Sequence, residues 1–348
     1  MRAARLHKFD PDLSGEEFLK IEEVPDPSID AFDDVIVRVG GAGVCRTDLH
    51  IVQGQWEEAQ LMPLPYTLGH ENAGWVEEVG DSVRSVRPGD AVIVLPGVTD
   101  GVCDACRRGL DNRCTELAWQ GIQFDGGFAE RLRTKARNLV PIPEGMTPAD
   151  AAPYADAGIT AYHSVRVATR GTVPGDDVVV VGVGGLGHVA IQVLRATTPA
   201  RIIAIDASPE ALSTATRFGA DHAVLGGPDT VEQVLDLTSG RGAAAVIDFV
   251  GDGDTPTQAF AMTGTGGTQV VVGYGGSLDL QMLDIMGSER SIIGVVGGTY
   301  ADLREVMALS ASGRVELLVD QYPFEELNHV MTSLARGELH ARAVMVHG

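Results

Sequence analysis

Apolar and polar positions alternate in two different rhythms along the chain, and the change comes near residue 150. Before it, Val35 to Val39 alternate with a period of two, and Trp75 to Val79, Ala91 to Leu95 and Phe128 to Val140 add further short apolar stretches. These read as strands separated by turns such as Pro25-Asp26-Pro27, Asp33-Asp34 and Val86-Arg-Pro-Gly-Asp90. Gly40, Gly41 and Gly43 are expected to break the first of those strands just ahead of Cys45.

After residue 150 the rhythm becomes helix, strand, helix. Ala151 to Val167 reads as largely helical, and the continuous apolar run Val178 to Val181 suits a central strand covered on both faces. A helix-period segment follows through Ala190, Ile191, Leu194 and Ala196. Strand and helix signals then alternate through Ile202 to Ile205, Ala211 to Phe218, Ala223 to Leu225, Val231 to Leu237, Ala245 to Phe249, Gln269 to Val272 and Ile292 to Val296. This predicts an α/β unit with a doubly wound parallel sheet. Tyr300 to Ser310 reads as a helix, and Val315 to Val319 and Ala343 to His347 return to strand. The expected division is a β-rich domain at 1–155 and 297–348, with the doubly wound domain at 156–296.

Between the first parallel strand and its helix stands Gly182-x-Gly184-Gly185-Leu186-Gly187. The first glycine permits a tight turn, the second lets backbone approach a pyrophosphate, and the last lets helix pack on strand. Asp206 ends the next strand, 24 residues beyond Gly182, where a carboxylate can accept both hydroxyls of an adenosine ribose. Like charge there would repel a 2′-phosphate, so NAD is expected over NADP. Val272, Gly273 and Tyr274 follow a later parallel strand and are expected to border a ribose.

Composition narrows the partners. A formal charge of −22 argues against nucleic acid and anionic membranes. Only Lys8, Lys20 and Lys135 are lysines among the 26 basic residues, a bias that high-salt adaptation and GC-rich coding would both produce. No apolar run approaches the span of a membrane helix, and the start lacks a signal-peptide core. A cytoplasmic location is the expectation. Of the four cysteines, three are clustered as Cys103-x2-Cys106-x7-Cys114, which is metal spacing rather than a disulfide framework. Cys45 and His70 offer two further ligands in loops. A catalytic zinc takes three protein ligands, and the residues alone do not announce the third. Taken singly, Cys45 also reads as a small buried hydrophobe and His70 as a hydrogen-bonded histidine.

Cys45-Arg-Thr-Asp-x-His50, Gly69-His70-Glu71, the cysteine-rich loop and the glycine-rich turn occur in the order and approximate spacing of one family. Over essentially its whole length the chain resembles the zinc-dependent medium-chain alcohol dehydrogenases. Asp156-Ala-Gly-Ile-Thr-Ala-Tyr-His163 is most similar to the bacterial secondary-alcohol dehydrogenases. The resemblance implies a GroES-like β-rich catalytic domain plus a Rossmann domain, NAD as cofactor and a catalytic zinc on Cys45, His70 and Asp156. It further implies a proton path from Thr47 to His50, Asp48 and Glu71 supporting the ligands, and Arg46 on the pyrophosphate. Thr160 and Leu186 are then expected behind the nicotinamide.

Relatives with a structural zinc carry a first cysteine where this chain has Asp100, so Asp100 is the implied partner of Cys103, Cys106 and Cys114. Trp56, Trp119 and Ile122 are candidates for the substrate-pocket wall. The expected reaction is hydride transfer between NAD and a secondary or aromatic alcohol, ketone or aldehyde, in a homo-oligomer, of four chains by the habit of bacterial relatives. A polyol or primary-alcohol dehydrogenase, and an NAD-binding relative without turnover, are the alternatives.

Overall fold

The computed structural model describes residues 1–15, 17–55 and 63–347. Its contacts divide into two compact units, Met1–Asp156 with Thr299–Met307 and Leu317–Gly348, and Ala157–Gly298 with Ala308–Glu316.

The first unit opens with β1 (Arg2–Leu6), β2 (Lys20–Glu23), β3 (Asp34–Gly43), α1 (Arg46–Val52), β4 (Tyr66–Thr67), β5 (Glu71–Val79) and β6 (Ala91–Val94). Then come β7 (Gly97–Val98), α2 (Asp104–Arg107), β8 (Ala118–Trp119), β9 (Arg131–Lys135), β10 (Leu139–Pro141) and α3 (Pro148–Ala151). The second unit carries α4 (Ala157–Ala168), β11 (Asp177–Val181), α5 (Gly187–Thr197), β12 (Arg201–Asp206), α6 (Pro209–Arg217), β13 (His222–Leu225) and α7 (Thr230–Leu237). It continues with β14 (Ala243–Asp248), α8 (Thr255–Met262), β15 (Thr263–Val271), α9 (Met282–Ser288) and β16 (Ser291–Gly294). The chain then runs through α10 (Tyr300–Ala311) to β17 (Val319–Pro323), α11 (Leu327–Ala335) and β18 (Arg342–Val346).

In the first unit the principal sheet is ordered β10-β6-β5-β3-β18-β17, with β9 also on β3. Its apolar face closes on a core that includes Val35, Val37, Val39, Tyr66, Leu68, Phe128 and Phe324, all nearly inaccessible. In the second unit six parallel strands take the order β13-β12-β11-β14-β15-β16. The order reverses between β11 and β14, and in doubly wound sheets the crevice beyond the strand ends at that point takes the ligand. Val178 to Val181 form the centre of this sheet, and each buried valine contributes about 1.5–3 kcal/mol of burial free energy.

Two expectations need correction. The glycines after Val39 do not end β3, which runs on to Gly43; a side chain at Gly41 would strike the backbone of Ala149, so they serve close packing instead. Ala151 to Val167 is largely helical as expected, its first turn a 3-10 helix over Ala152–Ala155 that gives way to α4 at Asp156. Residues 315–318 are not strand, and 308–316 group with the second unit. There Gln192 ties Glu316 through both its N–H (2.8 Å) and its carbonyl (2.7 Å).

Candidate active site

Two neighbouring strand ends build the first cluster. β3 and β5 pair antiparallel with Gly43 opposite Glu71, so the residues just after β3 and just before β5 meet. Cys45 is the cap residue of α1, and His70 immediately precedes β5. Gly69, at φ +99°, makes the bend, and a Cβ there would lie 2.7 Å from the Phe128 nitrogen. Asp156 arrives from the break before α4, where its backbone leaves helical geometry. Ligand atoms of Cys45, His70, Glu71 and Asp156 all lie within 4.8 Å of one another.

The donor set fits a zinc ion. Cys45 Sγ is 3.3 Å and His70 Nε2 3.6 Å from Asp156 Oδ2. Bond lengths of 2.0–2.3 Å in a tetrahedral shell require ligand atoms about 3.3–3.8 Å apart. Asp48 fixes two of these ligands at once. One carboxylate oxygen accepts the Cys45 N–H at 2.8 Å, and the other lies 3.3 Å from His70 Nδ1. That arrangement sets the His70 ring and leaves Nε2 facing the cluster.

Electrostatics agree. Burial disfavours a charged His70, but Asp48, Asp156 and Cys45 outweigh it and hold its pKa well above the usual value. Burial likewise works against an ionised Asp156, yet His70 and Arg342 hold its carboxyl well below the usual range. The cluster thus draws positive charge to its centre, which is what a divalent cation supplies.

Sequence reasoning missed Arg342. From the start of β18 its Nε donates to Glu71 Oε2 at 3.0 Å, a second nitrogen reaches Glu71 Oε1, and Nη2 lies 3.2 Å from Asp156 Oδ2. Both Arg342 and Glu71 are buried. Burial pushes Glu71 up to about 7 even though Arg342 opposes it. The available signal was one arginine opening an otherwise apolar strand.

Within α1, Thr47 and His50 are three residues apart and share a helix face; Arg46 is exposed.

A second cluster gathers Asp100, Cys103, Cys106 and Cys114, again within 4.8 Å. The cysteines are free, and Cys103 and Cys114 Sγ stand 3.9 Å apart, close to the spacing of two thiolates on one zinc and far from a disulfide. Asp100 Oδ1 accepts the N–H groups of Cys103 (3.0 Å) and Val102 (2.8 Å), which hold its carboxyl well below the usual range. Burial pushes the Cys106 thiol up to about 11. A cation in the loop would favour its ionised form.

The second unit contains the dinucleotide cradle. Gly182 takes φ +86°, and a Cβ on Gly187 would overlap the Gly182 carbonyl, whereas one on Gly184 meets only open space. Asp206 accepts Val183 N–H at 2.7 Å and Ser208 N–H at 2.9 Å, tying the strand tip to the glycine-rich turn. Gly185 and Leu186 lead into α5, and Thr160 is buried in α4. Val272 and Gly273 donate to the Asp248 carbonyl, and Tyr274 is 41% exposed.

Of the substrate-wall candidates, Ile122 is buried in the first unit's core and Trp119 packs against that core, while Trp56 lies outside the described residues. Among the described residues no helix is long and apolar enough to cross a membrane.

Comparison with known proteins agrees with this architecture. Residues 31–144 match the alcohol dehydrogenase GroES-like domain and residues 185–312 the zinc-binding dehydrogenase domain. The crystal structure of an alcohol dehydrogenase from the archaeon Aeropyrum pernix superposes with a TM-score of 0.94 at 45% identity, covering 99% of this chain and 100% of that one. An alcohol dehydrogenase of Geobacillus stearothermophilus is 34% identical over 94% of this chain and 96% of its own length. A D-arabinose 1-dehydrogenase (NADP(+)) of Saccharolobus solfataricus is 34% identical over 99% of this chain and 97% of its own. The likeness is therefore spread over archaeal and bacterial relatives rather than concentrated in bacterial secondary-alcohol dehydrogenases. The chain belongs to the zinc-type medium-chain alcohol dehydrogenase family and is an NAD-dependent oxidoreductase of that family.

Proposed function

We propose that the chain transfers hydride reversibly between NAD and a secondary or aromatic alcohol or its ketone. The observation that carries this reading is the convergence of Cys45, His70 and Asp156 at tetrahedral spacing, with Asp48 orienting two of them. These three residues would hold a catalytic zinc, which when bound supplies the Lewis acidity that makes an alcohol proton easier to remove. Two anions and one imidazole leave such a site neutral. NAD, held by Gly182, Gly184, Gly185, Leu186, Gly187 and Asp206, supplies the hydride acceptor when bound. Thr47 Oγ1 takes the alcohol proton and passes its own toward His50, which exchanges it with water. Arg46 would contribute a cation toward the pyrophosphate, Thr160 would stand behind the nicotinamide, and Val272, Gly273 and Tyr274 would border the adenosine or the nicotinamide ribose. Asp100, Cys103, Cys106 and Cys114 would hold a second, structural zinc.

The protein acts as a homo-oligomer in this reading, a tetramer. β16 is an edge strand with Ile292 partly exposed, and α9 exposes Met282 (75%), Leu283 (69%) and Met286 (72%).

The test follows the absorbance of reduced nicotinamide with 2-butanol and 1-phenylethanol against ethanol and benzyl alcohol, with and without a chelator. Chelator-sensitive reduction, faster on the secondary alcohols, is expected. Faster turnover of the primary alcohols would keep the mechanism and overturn the substrate class. A second reading, oxidation of a sugar or polyol, draws on the arabinose dehydrogenase relative; faster turnover of D-arabinose than of either secondary alcohol would establish it.

A further inference from the structure

The second unit carries a cluster of positive charge that the proposed chemistry does not use. Gln192, Arg195, Ala196, Arg217, Phe218 and Arg314 line an open cavity of about 330 Å³. It lies at the far end of α5 from the glycine-rich turn. At about 1.5 Å of rise per residue, Arg195 stands roughly 12 Å along the helix from Gly187. The cavity is therefore separate from the dinucleotide cradle.

Three arginines line this one cavity in a chain whose formal charge is −22. They are held in place. Arg195 Nε donates to the Gly219 carbonyl at 3.0 Å and its Nη2 to Asp221 Oδ2 at 2.6 Å. Arg314 Nη2 donates to the Ala196 carbonyl at 2.5 Å, and Arg217 lies over the Phe218 ring, with Cζ 4.6 Å from its centroid. Arg195 alone of the three has a carboxylate partner among the described residues.

Helix-end electrostatics account for part of this. Arg195 and Arg217 each sit in the last turn of a helix, α5 and α6, where a cation complements the carbonyl end. Arg314 comes from the segment after α10 and brings a second cation to the same end of α5. Two guanidinium charges remain uncompensated around one cavity. Guanidinium forks match phosphate oxygens two at a time, and the volume falls within the range of small-molecule sites, about 300–1,000 Å³. We propose that this cavity is a second anion site, which takes a small molecule bearing two or more phosphate charges independently of NAD.

The probe is inorganic pyrophosphate, titrated by calorimetry into the full chain under saturating NAD, with ionic strength held constant by sodium chloride. Saturating NAD occupies the cradle, so pyrophosphate binding there is suppressed. One equivalent per chain is expected, weakened at least tenfold in the R217A/R314A variant, with NAD affinity unchanged. Both side chains are exposed, so their removal leaves no buried group unpaired; R217Q/R314Q repeats the test with less loss of side chain. Absence of saturable binding, or equal binding in both double variants, would overturn the proposal.

Discussion

Replacing Arg342 by methionine tests the buried charge pair behind the candidate site. The side chain keeps much of its bulk but loses the cation that meets both Glu71 oxygens and Asp156. Removing one partner of a buried ion pair costs about 3–5 kcal/mol, because the other charge stays buried and unpaired. The pH dependence follows from Glu71, whose carboxyl is pushed up to about 7 in the fold from 4.5. A raised folded pKa means that its contribution to stability is fully present below about 4.5 and lost as pH rises through 7. That difference is worth about 3 kcal/mol. Without Arg342 the folded pKa climbs further, so the variant suffers most at high pH. Urea unfolding of the chelator-treated protein at pH 8 and pH 5 reads both effects. The R342M variant should be less stable by about 3–5 kcal/mol at pH 8 and by less than half of that at pH 5. A loss below about 1 kcal/mol at pH 8, or equal losses at the two pH values, would refute the reasoning.

Three other perturbations separate the remaining parts. Asp206→Ala removes the acceptor for Val183 and Ser208 as well as the expected ribose contact, so the KM for NAD should rise about tenfold or more while kcat changes little; an unchanged KM would mean the turn holds itself. Thr47→Val should lower kcat by about 10²–10⁴ with metal content unaltered, measured by steady-state rates beside elemental analysis. Cys106→Ser should cost one metal equivalent per chain and speed proteolysis within 100–114; full metal content in this variant would remove Cys106 from the ligand set.

Much of the architecture was legible because it follows local rules. The unbroken valine run Val178 to Val181 suits a doubly covered strand, and the glycine-rich turn and Asp206 follow at the ends of β11 and β12. The cysteine-rich loop was legible by residue type, since three thiols at that spacing have few other uses; Cys45 and His70 taken singly were not, and Asp156 and Asp100 entered only through the family resemblance. What escaped depends on distant packing. Gly41 looks like a breaker until Ala149 is seen pressed against it. Arg342 lies 271 residues from Glu71, and no local pattern links them. Ile122 and Trp119 are apolar whether they line a pocket or fill a core, so no local pattern separates the two roles.

The pairing of β18 with β3 has a consequence for how the molecule is made. Val344 pairs with Gly43 and Met345 with Ala42, so the strand beside the first cluster is made long after the strand it completes. Until it emerges, β3 lacks that neighbour and Glu71 lacks its cation. The six parallel strands of the second unit are all synthesised before that moment. Vectorial synthesis therefore lets the second unit mature early and leaves the Cys45–His70–Asp156 cluster without its supporting arginine until β18 has been made.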